Sequence, residues 1–389
     1  MRKPMFFLIL SIILIFYFLL NAYLFHRGYN ALKETKILKK LFLIMFIFLI
    51  LAYPLGRFFH LYFRSVIIEF LVIAGSFYLG MMVYFFIFIF IIDILRIINS
   101  FIPIFPSFLS LNPAKTTQIS FYTVWCIVIA ITFVSHINAL FPRIRSMEIE
   151  IEKPGGELEG LNIAAVTDIH LGTVILNSRL RYIVDKINSL SPDIILLPGD
   201  IVDEDVSSVM EQNMASILKR LKATFGVYAI TGNHEYIGGV KEAVKYIRDG
   251  NITVLMDSTA KIANSFYLIG RKDLVAKSFG DSRNSLENIL AHVDKSLPLI
   301  LMDHQPFNLE EAETNGIDFQ ISGHTHHGQL FPFNFITKRV YEKSWGYLRK
   351  NSTQYYISCG VGTWGPPLRL GNRPEILNIK VLFAQKQSI

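Results

Sequence analysis

Six of the ten histidines in this 389-residue chain fall in or beside five short segments that mix imidazole with Asp or Asn. The segments are Asp168-Ile169-His170, Gly199-Asp200, Gly232-Asn233-His234, Asp303-His304 and Gly323-His324-Thr325-His326, the last followed by His327. Carboxylate and imidazole without thiolate suit Mn²⁺, Fe or Zn²⁺ better than Ca²⁺, which takes oxygen alone. Two such ions about 3.5–4 Å apart need a shared anionic ligand, and a carboxylate has two oxygens to offer. Asp200, placed after a glycine in a tight turn, is the natural bridge. Paired ions lower the pKa of a water held between them, so that a bridging hydroxide attacks phosphorus while the ions offset charge on the phosphoryl group. Each segment alone is weak, since Asp-x-His is more often a hydrogen-bonded turn. His324 and His326 are stronger, because i, i+2 residues of an extended segment share one face. The weight lies in the set.

Five turns make one site only if something gathers them. Each segment ends a short apolar run: Ile163–Val166, Ile194–Leu197, Val227–Ile230, Leu297–Met302 and Phe319–Ile321. Short apolar runs bounded by Gly and Pro read as buried strands. Helical patterns at Ser178–Leu190, Val206–Leu221 and Val240–Asp249 separate the first of them. Strands alternating with helices imply a layered α/β core, in which sites form at the carboxyl ends of the strands. The five turns are therefore expected to converge. Met147–Lys153 alternates apolar and charged residues, the pattern of a half-buried strand, and Pro154-Gly155-Gly156 closes it.

The series Asp168-x-His170, Gly199-Asp200-Ile201-Val202-Asp203, Gly232-Asn233-His234-Glu235, His304 and Gly323-His324-Thr325-His326 resembles the calcineurin-like metallophosphoesterases over most of residues 147–382. Gly360 to Arg369 is similar to a narrower branch, the bacterial phosphoesterases of the YkuE/YaeI type, some of which carry N-terminal membrane spans. The resemblance implies a four-layer αββα sandwich. It places Asp168, His170 and His326 on a first metal ion and Asn233, His304 and His324 on a second, with Asp200 bridging. His234 would not bind metal; it would contact the phosphate and protonate the leaving oxygen. A cationic imidazole beside a dimetal centre stabilises a developing alkoxide. Asp203 and Glu235 are expected to be supporting groups. His327 stands where the branch usually has glycine and reads as a solvent-exposed variant or a substrate contact, exposure being the simpler choice. Arg369 and Arg373 are candidates to grip a phosphate bidentately, with surface pairing the equal alternative. Gly362 to Pro367 reads as a rigid turn, with Trp364 a candidate pocket wall.

An apolar share of 52% and a mean hydropathy of +0.40 exceed what an ordinary soluble enzyme needs, and the excess sits early in the chain. Residues 1–145 read as a transmembrane α-helical region and 146–389 as the catalytic α/β domain. Met5–Phe25, Leu41–His60, Ile67–Leu95 and Ile119–Leu140 are each long enough to cross a hydrocarbon core about 30 Å thick. That gives four spans, or five if the third run divides. The first lacks a small-residue cleavage site, which argues against a signal peptide. Glu69, Asp93 and Arg96, near the ends of the third run, are expected to snorkel to the interface rather than mark a transport path. The net charge of +7 is spread over cations flanking these runs, among them Arg2, Lys3, Lys33, Arg57, Arg64, Arg143 and Arg145, and such cations anchor and orient spans. Arg27, Lys33, Lys36, Lys39 and Lys40 form the densest positive loop, which favours a catalytic half outside the cytoplasm; Arg2, Lys3, Arg57, Arg64, Arg143 and Arg145, which would then lie on the outer side, favour the opposite. With no basic run interleaved with aromatics, nucleic acid is not an expected partner. Two cysteines, Cys126 and Cys359, provide no disulfide framework.

The expected activity is that of a membrane-anchored phosphohydrolase, a phosphodiesterase or pyrophosphatase. Its expected partners are the lipid bilayer and a phosphoester or pyrophosphate substrate, either lipid-linked or, if the spans merely anchor the enzyme, soluble. A catalytically silent binding or sensor module of the same fold is the alternative. The complete ligand set argues against it.

Overall fold

The computed structural model describes residues 3–32, 36–60, 62–63, 65–106, 109 and 111–385. Arg2, Lys33 and Arg64 lie outside them. Contacts divide the chain into two units, Met1–Ile137 with Gly365–Leu368, and Asn138–Trp364 with Arg369–Ile389.

In the first unit the apolar runs form α1 (Lys3–Ala31), α2 (Lys36–His60), α3 (Val66–Phe101) and α4 (Pro113–Leu140). Among the described residues these four helices are long and apolar enough to cross a membrane. The third run is one unbroken helix of 36 residues, about 54 Å long at 1.5 Å per residue, so the candidate spans among the described residues number four rather than five. α2 and α3 approach closely at Gly75, where a Cβ would collide with the Tyr53 main chain; small residues allow helices to meet in this way. Buried Asn21 on α1 accepts a short hydrogen bond from the Tyr78 hydroxyl of α3. Asp93 is not a lone charge reaching for water: it is buried. α1 supplies partners for it, the Tyr23 hydroxyl and Arg27 Nη2, each 2.5 Å from Oδ2.

The second unit is built on two six-stranded sheets. The first contains β1 (Arg143–Pro154), β2 (Gly160–Ala165), β3 (Ile194–Pro198), β4 (Val227–Ile230) and β5 (Thr253–Val254). The second contains β6 (Ser258–Ile262), β7 (Phe266–Gly270), β8 (Leu299–Met302), β9 (Phe319–Ser322), β10 (Gly346–Lys350) and β11 (Thr353–Ile357). β12 (Glu375–Ala384) returns to the first sheet and inserts between β1 and β2. Ile163, Leu196, Phe266, Leu268, Phe319 and Ile379 fill the space between the sheets. On the outer face of the first sheet, α5 (Asn177–Asn188) and α9 (Val240–Asp249) bury Leu180, Ile183, Ala243 and Ile247. Short helices cover the second sheet through Leu286, Leu309 and Ala312. Helices, sheet, sheet and helices make the four-layer sandwich expected from the sequence. The pattern at Val206–Leu221 divides into α6 (Val206–Glu211) and α7 (Met214–Leu218), because Asn213 between them takes a left-handed φ of 50°, which asparagine tolerates better than most residues.

Parallel pairing aligns the strand ends. β2, β3 and β4 run parallel in one sheet, and β8, β9 and β11 in the other. α8 (Asn233–Gly238) opens directly after β4.

Candidate metal centre

All five turns leave the carboxyl ends of these strands and are laced to one another through the main chain. His170 N–H donates to Asp200 O at 3.0 Å, Gly323 N–H to His304 O at 2.9 Å and Gly362 N–H to Asp168 O at 2.8 Å. Glu235, fully buried, accepts from the N–H groups of Asp200 (3.1 Å), Ile201 (2.7 Å), Val202 (2.9 Å) and Gly232 (2.7 Å). One carboxylate thus ties the Asp200 turn to the Asn233-His234 turn.

Asp168, His170, Asp200, His324 and His326 have φ of 53°, 53°, 52°, 68° and 45°. Residues other than glycine pay on the order of 1–3 kcal/mol each to stand in that region, and such strain clusters at functional sites. Here it turns five donors inward.

The donors meet. One ligand atom from each of Asp168, His170 and His326 lies within 4.8 Å of the others, as does one from each of Asp200, His304 and His324. His170 and His326 face each other through Nε2 at 3.0 Å, and His326 Nε2 is 3.6 Å from Asp168 Oδ1. His324 Nδ1 is 2.8 Å from Asn233 Oδ1. Asp200 Oδ2 stands between the sets, 3.0 Å from His304 Nε2 and 3.9 Å from His170 Nε2. Its other oxygen accepts the His234 N–H at 2.9 Å.

These residues fit divalent ions on grounds the protein itself supplies. Asp168 Oδ2 and His170 Nδ1 are buried without hydrogen-bond partners, and buried polar atoms are otherwise almost always satisfied. His304 Nδ1 is tied to Pro198 O at 2.8 Å, which leaves Nε2 to face the centre, the usual arrangement of a ligating histidine. Burial, then the neighbouring positive charge of His304, pushes His324 down to about 3. Burial and the Arg369 charge hold His326 well below its ordinary value. Both rings are therefore neutral, the form that ligates metal. Burial pushes Asp200 upward, but the charge and contact of His304 outweigh it and hold the carboxyl well below its usual range.

His234 stands at the edge of this group. Its Nδ1 is 2.8 Å from Asp203 Oδ1, and its ring meets that of His170 edge-on, centroids 4.6 Å apart. Trp364, 55% exposed, lies 6.2 Å from the His234 ring and makes one wall beside it. Gln329 clamps the Trp364 main chain through hydrogen bonds of 2.9 Å at both its N–H and its C=O.

Two sequence expectations change. Arg369 is no surface phosphate clamp: it is fully buried, and its guanidinium donates to Gly362 O (2.6 Å), His326 O (3.2 Å) and Asn372 Oδ1 (3.0 Å) and rests 3.0 Å from His326 Nδ1. Its donors are taken by the loop that carries His326. Arg369→Ala is expected to strand these acceptors and cost about 4 kcal/mol, lowering Tm by roughly 10 °C in a thermal melt; an unchanged melting temperature would refute the assignment. His327 is not solvent-exposed. It is buried, with Nδ1 3.0 Å from Ser344 Oγ and its ring 5.2 Å from Trp345. Asn372, which donates to His326 O at 2.9 Å, carries no signal in the sequence. Gly232 leaves room for Asp200: a Cβ there would overlap Asp200 Oδ1. Gly232→Ala should weaken metal binding about 10–100-fold, the range for a displaced supporting contact, as read by metal titration; equal affinity would show that the Asp200 carboxylate is free to move.

A model of the calcineurin-like phosphoesterases matches residues 161–328. An uncharacterized metallophosphoesterase of Helicobacter pylori (strain J99) is 33% identical over 62% of this chain and 64% of that protein. A transmembrane protein with metallophosphoesterase domain from Danio rerio is 32% identical over 61% of this chain and 57% of that protein. The chain thus spans less than two thirds of the length of either relative. The uncharacterized metallophosphoesterase YkuE of Bacillus subtilis is 31% identical over 56% of this chain and 78% of that protein. With the two-sheet fold and the His/Asp clusters that such dimetal-dependent proteins need, the chain belongs to the calcineurin-like metallophosphoesterases.

Proposed function

We propose that the chain is a membrane-anchored phosphohydrolase that cleaves phosphodiesters or pyrophosphates, with Asp168, His170 and His326 on one ion, Asn233, His304 and His324 on a second, and Asp200 shared. The observation that carries this reading is the position of His234, beside the seven candidate ligands yet paired with Asp203. Two divalent ions, when bound, supply a Lewis-acid pair that activates water at neutral pH and offsets charge on phosphoryl oxygens. The chain does the rest. Asp203 Oδ1, 2.8 Å from His234 Nδ1, pairs electrostatically with that side of the ring, which leaves Nε2 as the nitrogen that can carry a proton to the leaving oxygen. Trp364 provides an apolar wall next to that oxygen for the non-transferred part of the substrate. α1–α4 hold the enzyme at a lipid surface, where tethering raises the effective concentration of lipid-linked substrates.

The full chain in detergent, loaded with Mn²⁺, should hydrolyse bis-p-nitrophenyl phosphate and lose that activity to a chelator. A parallel panel of lipid phosphodiesters and pyrophosphates identifies the class. A metal-loaded protein that turns over none of them is not a phosphohydrolase of this type.

A further inference from the structure

The four-helix unit contains a largely apolar chamber that holds three charged side chains and has no part in the chemistry above. α1, α3 and α4 enclose a cavity of about 80 Å³ whose wall includes Arg27, Asp93, Arg96, Thr117, Phe121 and Trp125. That is several times the ~10–15 Å³ that a single water needs, so the space can take a phosphate group. The charges in the wall do not balance. Among the described residues lining it, Asp93 is the one carboxylate, set against the two guanidinium groups.

Asp93 is 9% exposed. Its Oδ2 is saturated by Tyr23 and Arg27, each at 2.5 Å. Its Oδ1 is buried with no hydrogen-bond partner, and Arg96 Nη1 stands 3.8 Å from it, beyond hydrogen-bond reach. Arg96 turns Nη2 to Thr117 Oγ1 at 3.3 Å. The Arg27 and Arg96 side chains are 41% and 35% exposed, so the chamber is open to its surroundings. Two demands remain unmet in one small space: an anion for the surplus guanidinium charge, and a donor for Asp93 Oδ1. Water meets the second but not the first.

Depth says which anion is at hand. α3, about 54 Å long, exceeds a hydrocarbon core of about 30 Å, and Asp93 precedes its end at Phe101 by about 12 Å. Arg27 precedes the end of α1 at Ala31 by about 6 Å. With the core centred on each helix, both residues fall at the boundary between hydrocarbon and headgroups, the depth at which aromatic residues such as Trp125 are enriched.

We propose that this chamber binds a phospholipid headgroup bearing a hydroxyl or amine beside its phosphate. Arg27 and Arg96 take the phosphate oxygens, and the hydroxyl or ammonium donates to Asp93 Oδ1. A choline headgroup, which has no N–H or O–H, does not satisfy the carboxylate. The proposal rests on the membrane placement of α1–α4 in the reading above and not on hydrolysis, so an enzyme silent in every assay leaves it intact.

The test uses the full chain in neutral detergent, titrated with short-chain phosphatidylglycerol, phosphatidylethanolamine, phosphatidylcholine or inorganic phosphate. Native mass spectrometry reads retained lipid. Emission of Trp125 in a Trp345→Phe/Trp364→Phe background reads occupancy of the chamber. Phosphatidylglycerol and phosphatidylethanolamine should bind about fivefold or more better than phosphatidylcholine, and Arg96→Ala should remove about that much again. That variant leaves the Tyr23–Asp93–Arg27 contacts in place, and Arg96→Lys, which keeps the charge, should recover most of the loss. Equal retention of all three lipids, retention unchanged in Arg96→Ala, or saturation by inorganic phosphate alone overturns the assignment and leaves a hydrated ion pair only.

Discussion

Asp200→Asn is expected to abolish turnover, by about 10³-fold or more, and to lose bound metal in the same preparation. Asp200 faces both halves of the centre: Oδ2 lies toward His304 and His170, while Oδ1 holds the N–H of His234. Asparagine keeps the shape and one oxygen but removes the charge that two cations share. Its amide would also set a donor against His304 or against the His234 N–H. The same contacts predict a pH dependence. Without metal, burial disfavours the His304 cation, but the Asp200 charge and contact outweigh it and raise His304 well above its ordinary value. An incoming ion must displace that proton, so metal affinity falls as pH falls. Metal content by emission spectroscopy, alongside rates at pH 6 and pH 8, checks both statements. Asp200→Asn with full metal and full rate would remove Asp200 from the bridging position.

His234→Asn is expected to separate what Asp200→Asn joins: metal stays and rate falls about 10²–10⁴-fold, the range of a lost general acid. Burial opposes the His234 cation, but the Asp203 contact and the charges of Asp200 and Asp203 push it up to about 9. Bound cations act in the opposite direction, so the working value lies lower. The sign is fixed either way. Only the protonated ring can donate, so the wild-type rate declines as pH rises through the His234 pKa, and that limb is absent from His234→Asn. For the metal-free protein the raised value also means stability that is complete below about pH 6.5 and is lost as pH rises through about 9. Asp203→Asn should shift the alkaline limb to lower pH without loss of metal. An alkaline limb that survives in His234→Asn assigns the proton to another group.

The fold and the convergence of the donors are legible in the sequence because both depend on local patterns. β4 (Val227–Ile230) and α9 (Val240–Asp249) occupy the residues their apolar periodicity marks. Each donor turn follows a short buried run, and parallel pairing does the gathering. What the sequence hides is long-range burial. Arg369 looks like a surface cation because nothing near it in the chain announces that the His326 loop will close over it. His327 looks exposed because its partners, Ser344 and Trp345, belong to a later loop. Asp93 looks like a free charge reaching for water until α1 brings Tyr23 and Arg27 to it. In each case the deciding neighbour is distant in sequence, beyond the reach of periodicity or capping.

β12 adds a matter of timing. It lies between β1 and β2, with Glu148 and its partner Lys380 standing 232 positions apart. At ~5–20 residues per second, synthesis leaves β1 and β2 without their shared neighbour for roughly 10–50 s. Every candidate metal donor is made before that neighbour exists. During biosynthesis the nascent domain therefore presents open strand edges, the usual template for wrong pairing, while its histidines and aspartates are already able to take up metal. An early ion would draw the turns together ahead of the sheet that carries them, so metal supply during translation should influence how much of the chain reaches its folded form.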